Sequence, residues 1–385
     1  MGTRKTGVWE RERQEFGNEK NEMVHYETTS PSSDLNICTL RSSASNKKRE
    51  IKIMGRNSTI FMIFIALLLS GCQSSAGVRF KQGEDKIDVS IDGKLVTSYC
   101  YSADLLKPCL YPVYSLSGVL MTRSYPFREI KGESHDHKHH TGAFFAYASD
   151  GEINGSGFWH SQVMPPQIKH SKIVEMKAGE KSGALSTVSF WIGKDGKPLL
   201  RENRTMAFIP GQNDYNIDFA ITLTAIDTTV SFKATKEGLF AVRVADWLAE
   251  KNKGTLWSGT GEYMNAEGAK TEKNIWGRRS KWVRLQGEKD GRTEGIAIFN
   301  HPDSENYPTF WMARGYGLFA ANPLGQNIYE SFHKVEKPNK YELILQPGKS
   351  ALFKFRMLIY DGARSRVELE KMFSEYGANE PAEGK

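Results

Sequence analysis

Lys86-Ile87-Asp88-Val89-Ser90-Ile91-Asp92-Gly93-Lys94-Leu95-Val96-Thr97-Ser98-Tyr99 reads as two strands around a tight turn. Apolar and polar residues alternate on both sides of Asp92-Gly93, and an Asp-Gly pair supplies the left-handed residues a two-residue hairpin demands. The pattern recurs along the chain. Lys194-Asp195-Gly196-Lys197 is a second such turn, and Asn216-Ile217-Asp218-Phe219-Ala220-Ile221-Thr222-Leu223-Thr224 alternates cleanly. Trp282-Val283-Arg284-Leu285 and Gly295-Ile296-Ala297-Ile298-Phe299 are further strands, and residues 342–345 and 350–360 read as a closing hairpin around Pro347-Gly348. Lys107-Pro108-Cys109-Leu110-Tyr111-Pro112-Val113 carries prolines that restrict it to an edge or a loop. Helical spacing is confined to residues 239–250 and 365–376, while residues 255–273 read as a polar loop. Many strands with one or two short helices predict an all-β chain, a large antiparallel β-sandwich.

Composition narrows the function classes. The 385 residues are 39% hydrophobic and 25% charged, the range of a globular protein. The formal net charge of +7 is scattered, with no basic run interleaved with aromatics, which excludes a nucleic-acid groove. Nucleophile elbow, phosphate-cradling glycine loop, paired-Cys zinc site and dinucleotide fingerprint are all missing from the sequence.

Ile60-Phe61-Met62-Ile63-Phe64-Ile65-Ala66-Leu67-Leu68-Leu69 has the length of a signal-peptide core and is too short to span a bilayer as a helix. Lys47, Lys48, Arg49, Lys52 and Arg56 flank it, and Leu69-Ser70-Gly71-Cys72 resembles a bacterial lipobox with Cys72 as the lipidated residue. The expected organisation is an over-long start or disordered leader at 1–53 and a lipoprotein signal at 54–71. A tether at 72–80, a β-sandwich at 81–362 and a C-terminal helix and tail at 363–385 follow. A lipid anchor at the cell envelope, periplasmic or on the outer-membrane surface, follows from this reading. Cys100 and Cys109 remain, open either to a disulfide or to two free thiols.

Candidate chemistry concentrates at His135-Asp136-His137-Lys138-His139-His140-Thr141-Gly142, where four of the nine histidines fall within six residues. Imidazoles at this density suit metal ligation, acid–base work near neutral pH, or hydrogen bonding to a polyol. If residues 136–145 are extended, His137 and His139 share one face while Asp136 and His140 take the other. The catalytic candidates are Asp136, His137, His139, His140 and His301, with His137 and His139 as ligands of any divalent metal. Asp246 is an alternative base.

A second dense stretch runs through Tyr307-Pro308-Thr309-Phe310-Trp311-Met312-Ala313-Arg314 to Asn322-Pro323. Aromatic faces stack on sugar rings, and amide and guanidinium groups meet hydroxyls. Tyr307, Trp311, Arg314 and Asn322, with Arg243 and Arg278 from Arg243-Val244-Ala245-Asp246-Trp247 and Trp276-Gly277-Arg278-Arg279, are therefore the substrate-binding candidates.

Asp136-His137-x-His139-His140-x-Gly142, Gly238-Leu239-Phe240-Ala241-Val242-Arg243, Trp276-Gly277-Arg278-Arg279 and Gly317-Leu318-Phe319-Ala320-Ala321-Asn322-Pro323 together resemble the PmoA-like domain family. Met312 and Asn300 depart from the His and Asp that many members carry there. The family's methane-oxygenase label implies an integral membrane protein, yet no apolar segment of spanning length follows Cys72. Methane oxygenation is thereby argued against. The order of motifs is also similar to galactose-mutarotase-type sandwiches, which implies a supersandwich by analogy. The expected function is His-based acid–base chemistry on a sugar or glycoside, either epimerase- or mutarotase-like or lyase- or hydrolase-like. The alternatives are a non-catalytic glycan-binding lipoprotein and a His-ligated metal enzyme.

Overall fold

The computed structural model describes residues 77–251 and 258–378. The signal stretch and Cys72 lie outside the described residues, and the expected tether is already strand from Val78.

Two eight-stranded sheets carry the fold. The first runs β1 (Val78–Gln82), β2 (Lys86–Ile91), β3 (Lys94–Cys100), β4 (Cys109–Val113), β5 (Ala143–Tyr147), β11 (Gly238–Arg243), β16 (Leu318–Asn322), β15 (Phe310–Ala313) from edge to edge. The second runs β12 (Glu262–Asn265), β13 (Trp282–Lys289), β14 (Arg292–Asn300), β18 (Ser350–Asp361), β9 (Asp214–Ala225), β8 (Pro198–Pro210), β7 (Gly183–Ile192), β6 (Gln167–Lys177). A two-stranded ribbon joins β10 (Val230–Phe232) to β17 (Leu343–Leu345). Every strand pair is antiparallel.

The hairpin chemistry works as read: Asp92 and Gly93 both adopt positive φ (49° and 78°), and Ile91 faces Lys94 across the turn. Strand β9 alternates half-buried and buried residues along its whole length. Its buried side chains help to weld the sheets together. Phe240 of the first sheet packs on Phe219 (4.7 Å) and Phe355 (5.0 Å) of the second, and Phe145 packs on Phe353 (5.6 Å) and Trp191 (6.0 Å). These aromatic contacts form the core of the sandwich.

Several local expectations fail for tertiary reasons. Residues 239–250 form strand β11 and a short 3-10 turn at Asp246–Leu248, because a strand buried on both faces loses its alternation. Residues 258–273 contain strand β12 rather than only loop. Leu343–Leu345 pairs with β10, so it makes no hairpin with β18, which lies between β14 and β9. The Pro-bearing β4 sits inside the first sheet, its pairing with β5 limited to two residues. Cys100 and Cys109 face each other across β3 and β4 as free thiols.

Among the described residues there are three α-helices: α1 (Glu272–Ile275), α2 (Gln326–Phe332) and α3 (Arg366–Ala378). A capping box starts α3: Glu368 accepts from the Ser365 amide (2.8 Å), and the Glu368 amide donates back to Ser365 Oγ (3.2 Å). Its Leu369, Phe373 and Tyr376 cover Trp282, Phe299, Leu358 and Tyr360 of the second sheet. None of the described helices is long and apolar enough to cross a membrane.

A buried carboxyl pair bridges β14 and β18, where Glu294 faces Asp361. Glu294 is fully buried, Ser117 Oγ donates to one of its oxygens (2.6 Å), and the other has no partner. Burial, followed by the adjacent Asp361, pushes the Glu294 carboxyl up to about 7. The folded state thus favours the protonated form. Its contribution to stability is complete below about pH 4.5 and is lost as pH rises to about 7. E294Q, uncharged throughout, should flatten this dependence. Melting curves recorded across that window check the prediction, and parallel curves for the two proteins would refute it.

Candidate functional site

The histidine stretch is a turn, not a strand. His137 adopts φ 41° and the His140 amide donates to the His137 carbonyl (2.9 Å), so β5 begins only at Ala143. The expected alternation is therefore lost, and the rings converge. His137 stacks on His140 (centroids 4.9 Å apart, 3° between planes), His139 meets His140 edge-on at 4.3 Å, and His160 lies 5.3 Å from His139. His135 turns away to stack on Tyr125. His137 is exposed, His139 half-buried and His140 buried, giving a gradient from solvent to core.

Two arginines hold this turn. Arg123, with a fully buried side chain, donates to the carbonyls of Asp136 (2.7 Å) and His137 (2.9 Å) and to the Asp136 carboxylate. Arg243, at the end of β11, donates to the same carboxylate oxygen (2.6 Å) and to Ser134 Oγ (3.1 Å). The other Asp136 oxygen pairs with His137 Nδ1 (2.9 Å). Burial pushes the Asp136 carboxyl up, but the His137 bond and the charges of Arg243 and Arg123 outweigh it and hold the carboxyl well below its ordinary value. Asp246 is used elsewhere: its two oxygens accept from the Ser134 amide and hydroxyl, both at 2.7 Å.

Sequence reasoning missed Lys107, Tyr316 and Glu237. The Lys107 ammonium is buried beneath the turn, donating to the carbonyls of His139 (2.9 Å) and Trp159 (2.7 Å) and lying 4.4 Å from the centre of the Phe144 ring. Burial lowers it to about 7. His139 is held far below the ordinary imidazole range by burial first and by Lys107 next, and His140 by burial and its neighbour His139. Both rings are neutral at physiological pH.

Tyr316 lies parallel to His137 at 5.2 Å, with the Arg243 guanidinium 4.7 Å and the Arg314 guanidinium 5.7 Å from its ring centre. Glu237 precedes β11 by one residue, and its carbonyl accepts from the Ala148 amide (3.1 Å) at the end of β5. Its side chain is 16% exposed, and burial raises its carboxyl above the ordinary value. Lys236, His160, Arg314 and His137 are near enough to act on it electrostatically. Tyr316 at least lay in a stretch already marked as dense in aromatics, whereas no local motif marks Lys107 or Glu237.

The remaining candidates disperse. His301 sits at the end of β14 against Tyr376 (4.9 Å) and is tied to Asp303, outside the cluster. Trp311 is core, its Nε1 donating to the Ser280 carbonyl (2.8 Å). Tyr307 packs with the residues beneath α3, and Arg278 is exposed. Asn322 is a latch: its amide donates to the carbonyls of Thr235 (3.0 Å) and Lys236 (3.1 Å) and so fixes the segment leading to Glu237. Arg314 and Arg243 are the predicted binding residues that reach the histidines through Tyr316. Among the described residues no group of three His, Cys, Asp or Glu side chains is arranged to hold a metal ion.

A family model matches residues 86–374. The chain belongs to the family of unknown function DUF6807. This match overturns the PmoA-like resemblance, since every motif quoted for it falls within the matched residues. Solved structures similar to this DUF6807 chain include galactose 1-epimerase from Lactobacillus acidophilus NCFM, 8% identical, covering 75% of this chain and 100% of that one at a TM-score of 0.37. A galactose mutarotase-like protein from Lactobacillus casei ATCC 334 is 7% identical, covering 74% and 100% at 0.30. The GH36 alpha-galactosidase AgaB from Geobacillus stearothermophilus is 11% identical, covering 77% and 41% at 0.31. No curated protein matches the sequence.

Because Arg123 serves the carbonyls of Asp136 and His137 in the histidine turn, R123M should cost about 1–3 kcal/mol, the usual cost of leaving buried acceptors unsatisfied. Urea denaturation read by tryptophan fluorescence measures this. A loss under about 1 kcal/mol, the range of a surface ion pair, would show that the turn holds itself.

Proposed function

We propose that this chain acts on a carbohydrate by acid–base chemistry, with the site formed by His137, His139, His140 and His160 on one side and Glu237 on the other. The observation that carries the reading is the opposed tuning of the two sets. Burial and neighbouring cations keep His139 and His140 neutral, as hydrogen-bond partners, and leave proton acceptance to the exposed His137, whose Nδ1 is held by Asp136 (2.9 Å), while burial keeps the Glu237 carboxyl protonated to higher pH than usual. Titratable groups whose surroundings drive their affinities apart divide naturally into a base and an acid. In this reading the His137 imidazole accepts and the Glu237 carboxyl donates. A sugar ring needs such a pair for ring opening, epimerisation or elimination, and it needs aromatic faces and guanidinium donors for its hydroxyls. Tyr316, Arg243 and Arg314 supply these. Lipidation at Cys72 would place this activity at the cell envelope.

The test is proton-exchange NMR and reducing-end assays on a panel of aldoses, uronic acids and their glycosides. E237Q and H137N should each lower turnover by about 10²–10⁴-fold, the usual worth of a positioned acid or base, with melting temperature nearly unchanged. Wild-type turnover should fall as pH rises past the Glu237 pKa, because the acid is then spent. Saturable sugar binding with no turnover on any panel member would replace catalysis with a glycan-binding role. Stoichiometric bound metal in the purified protein, lost on H137A/H139A, would replace it with metal-dependent chemistry.

A further inference from the structure

Buried donors without acceptors gather around Tyr316. Arg243 is 1% exposed, and although its Nη2 serves Asp136 and Ser134, its Nε and Nη1 have no partner. Arg314 Nε also lacks a hydrogen bond, with the Glu272 carboxylate 3.7 Å away. His140 Nδ1 and Trp159 Nε1 are buried and unpartnered, with their rings 5.8 Å apart. One ring links most of the set: Tyr316 lies 4.7 Å from the Arg243 guanidinium, 5.7 Å from that of Arg314 and 6.4 Å from the His140 ring. Buried polar groups left this way in a folded chain are met by ordered water or by a ligand, and a cluster of them around one ring marks a polar site.

The charge of that ligand follows from how the nearby carboxylates are used. Arg123 and Arg243 share one oxygen of Asp136. Both oxygens of Asp246 are taken by Ser134, and both oxygens of Glu133 accept from the Ser124 and Tyr125 amides. Lys107 meets only carbonyl oxygens among its hydrogen bonds. A hydroxyl oxygen would accept from one of these free N–H groups, whereas the two oxygens of a carboxylate can accept from Arg243 and Arg314 together.

Resting on the carbohydrate reading above, we infer that the site takes an acidic sugar, a uronic or aldonic acid, whose carboxylate accepts from Arg243 and Arg314. The Tyr316 ring, carried between Gly315 and Gly317, borders both guanidiniums, 4.7 Å from that of Arg243 and 5.7 Å from that of Arg314.

Isothermal titration and thermal shift of the full chain at fixed ionic strength test this, using D-glucuronate, D-galacturonate and D-gluconate against glucose and galactose, with acetate and inorganic phosphate as ion controls. At least one acidic sugar should raise the melting temperature and bind tenfold or more tighter than its neutral parent. R314Q, at a half-exposed position, should cut that affinity about tenfold, R314K should restore part of it, and R243Q should abolish it. If neutral sugars bind or react and acidic ones do not, the acid assignment falls while the carbohydrate reading stands. If acetate or phosphate shifts the protein as far as the acidic sugars do, the site holds a simple anion and the inference falls. Wild-type affinity in R314Q also overturns it, and no binding by any sugar overturns both readings.

Discussion

One carboxylate shared by two guanidiniums holds the site together. Asp136 lies between Arg123, just before the loop that carries the histidines, and Arg243, at the end of the strand β11 beside it. A turn of six polar residues has little reason to keep one shape in water, since ordering it costs roughly 1–2 kcal/mol per residue of backbone entropy. The Arg123 bonds to three carbonyls along this turn, those of Asp136, His137 and His140, offset that cost and fix where the imidazoles point. The arrangement also requires the sheet: β5 and β11 are neighbours, and the Arg243 amide donates to the Gly142 carbonyl (2.8 Å) where the turn enters β5.

Placing a cluster of imidazoles on this floor has electrostatic consequences. Each ring raises the cost of protonating the next, and the Lys107 ammonium beneath adds to it. A buried donor left without an acceptor costs roughly 1–3 kcal/mol, and several are left here around Tyr316. The fold sustains such a site because the sandwich core on the other face of the same sheet is continuous. Phe145 and Phe240 anchor β5 and β11 to the second sheet by aromatic contacts that do not involve the site at all. Stability and site chemistry therefore occupy opposite faces of the same two strands.

Much of the architecture was legible locally. The Asp92-Gly93 hairpin, the alternation of β9, the strands β13 and β14 and the terminal helix all announce themselves, because turn chemistry and periodic burial act between near neighbours. Strands buried on both faces were harder to read. β11, β15 and β16 carry uninterrupted apolar runs, and such runs do not distinguish strand from helix. Within the site, the density of histidines marked the right loop, but the assumption of an extended backbone predicted the wrong faces. Trp311 and Asn322 looked like ligand-binding residues because sugar-binding groups and core hydrogen-bonding groups are the same residue types. Only burial separates the two uses.

By itself, the sequence determined the all-β character, most turns and the location of the imidazole cluster, since each depends on residues within a few positions of one another. Only the tertiary structure decided which charges meet that cluster. Lys107, Arg123, Glu237 with Arg243, and Tyr316 come from four separate segments, brought together by sheet pairings between strands as distant as β5 and β11 or β11 and β16. Their protonation and partners depend on burial and proximity across those pairings, quantities that no local pattern of residues encodes.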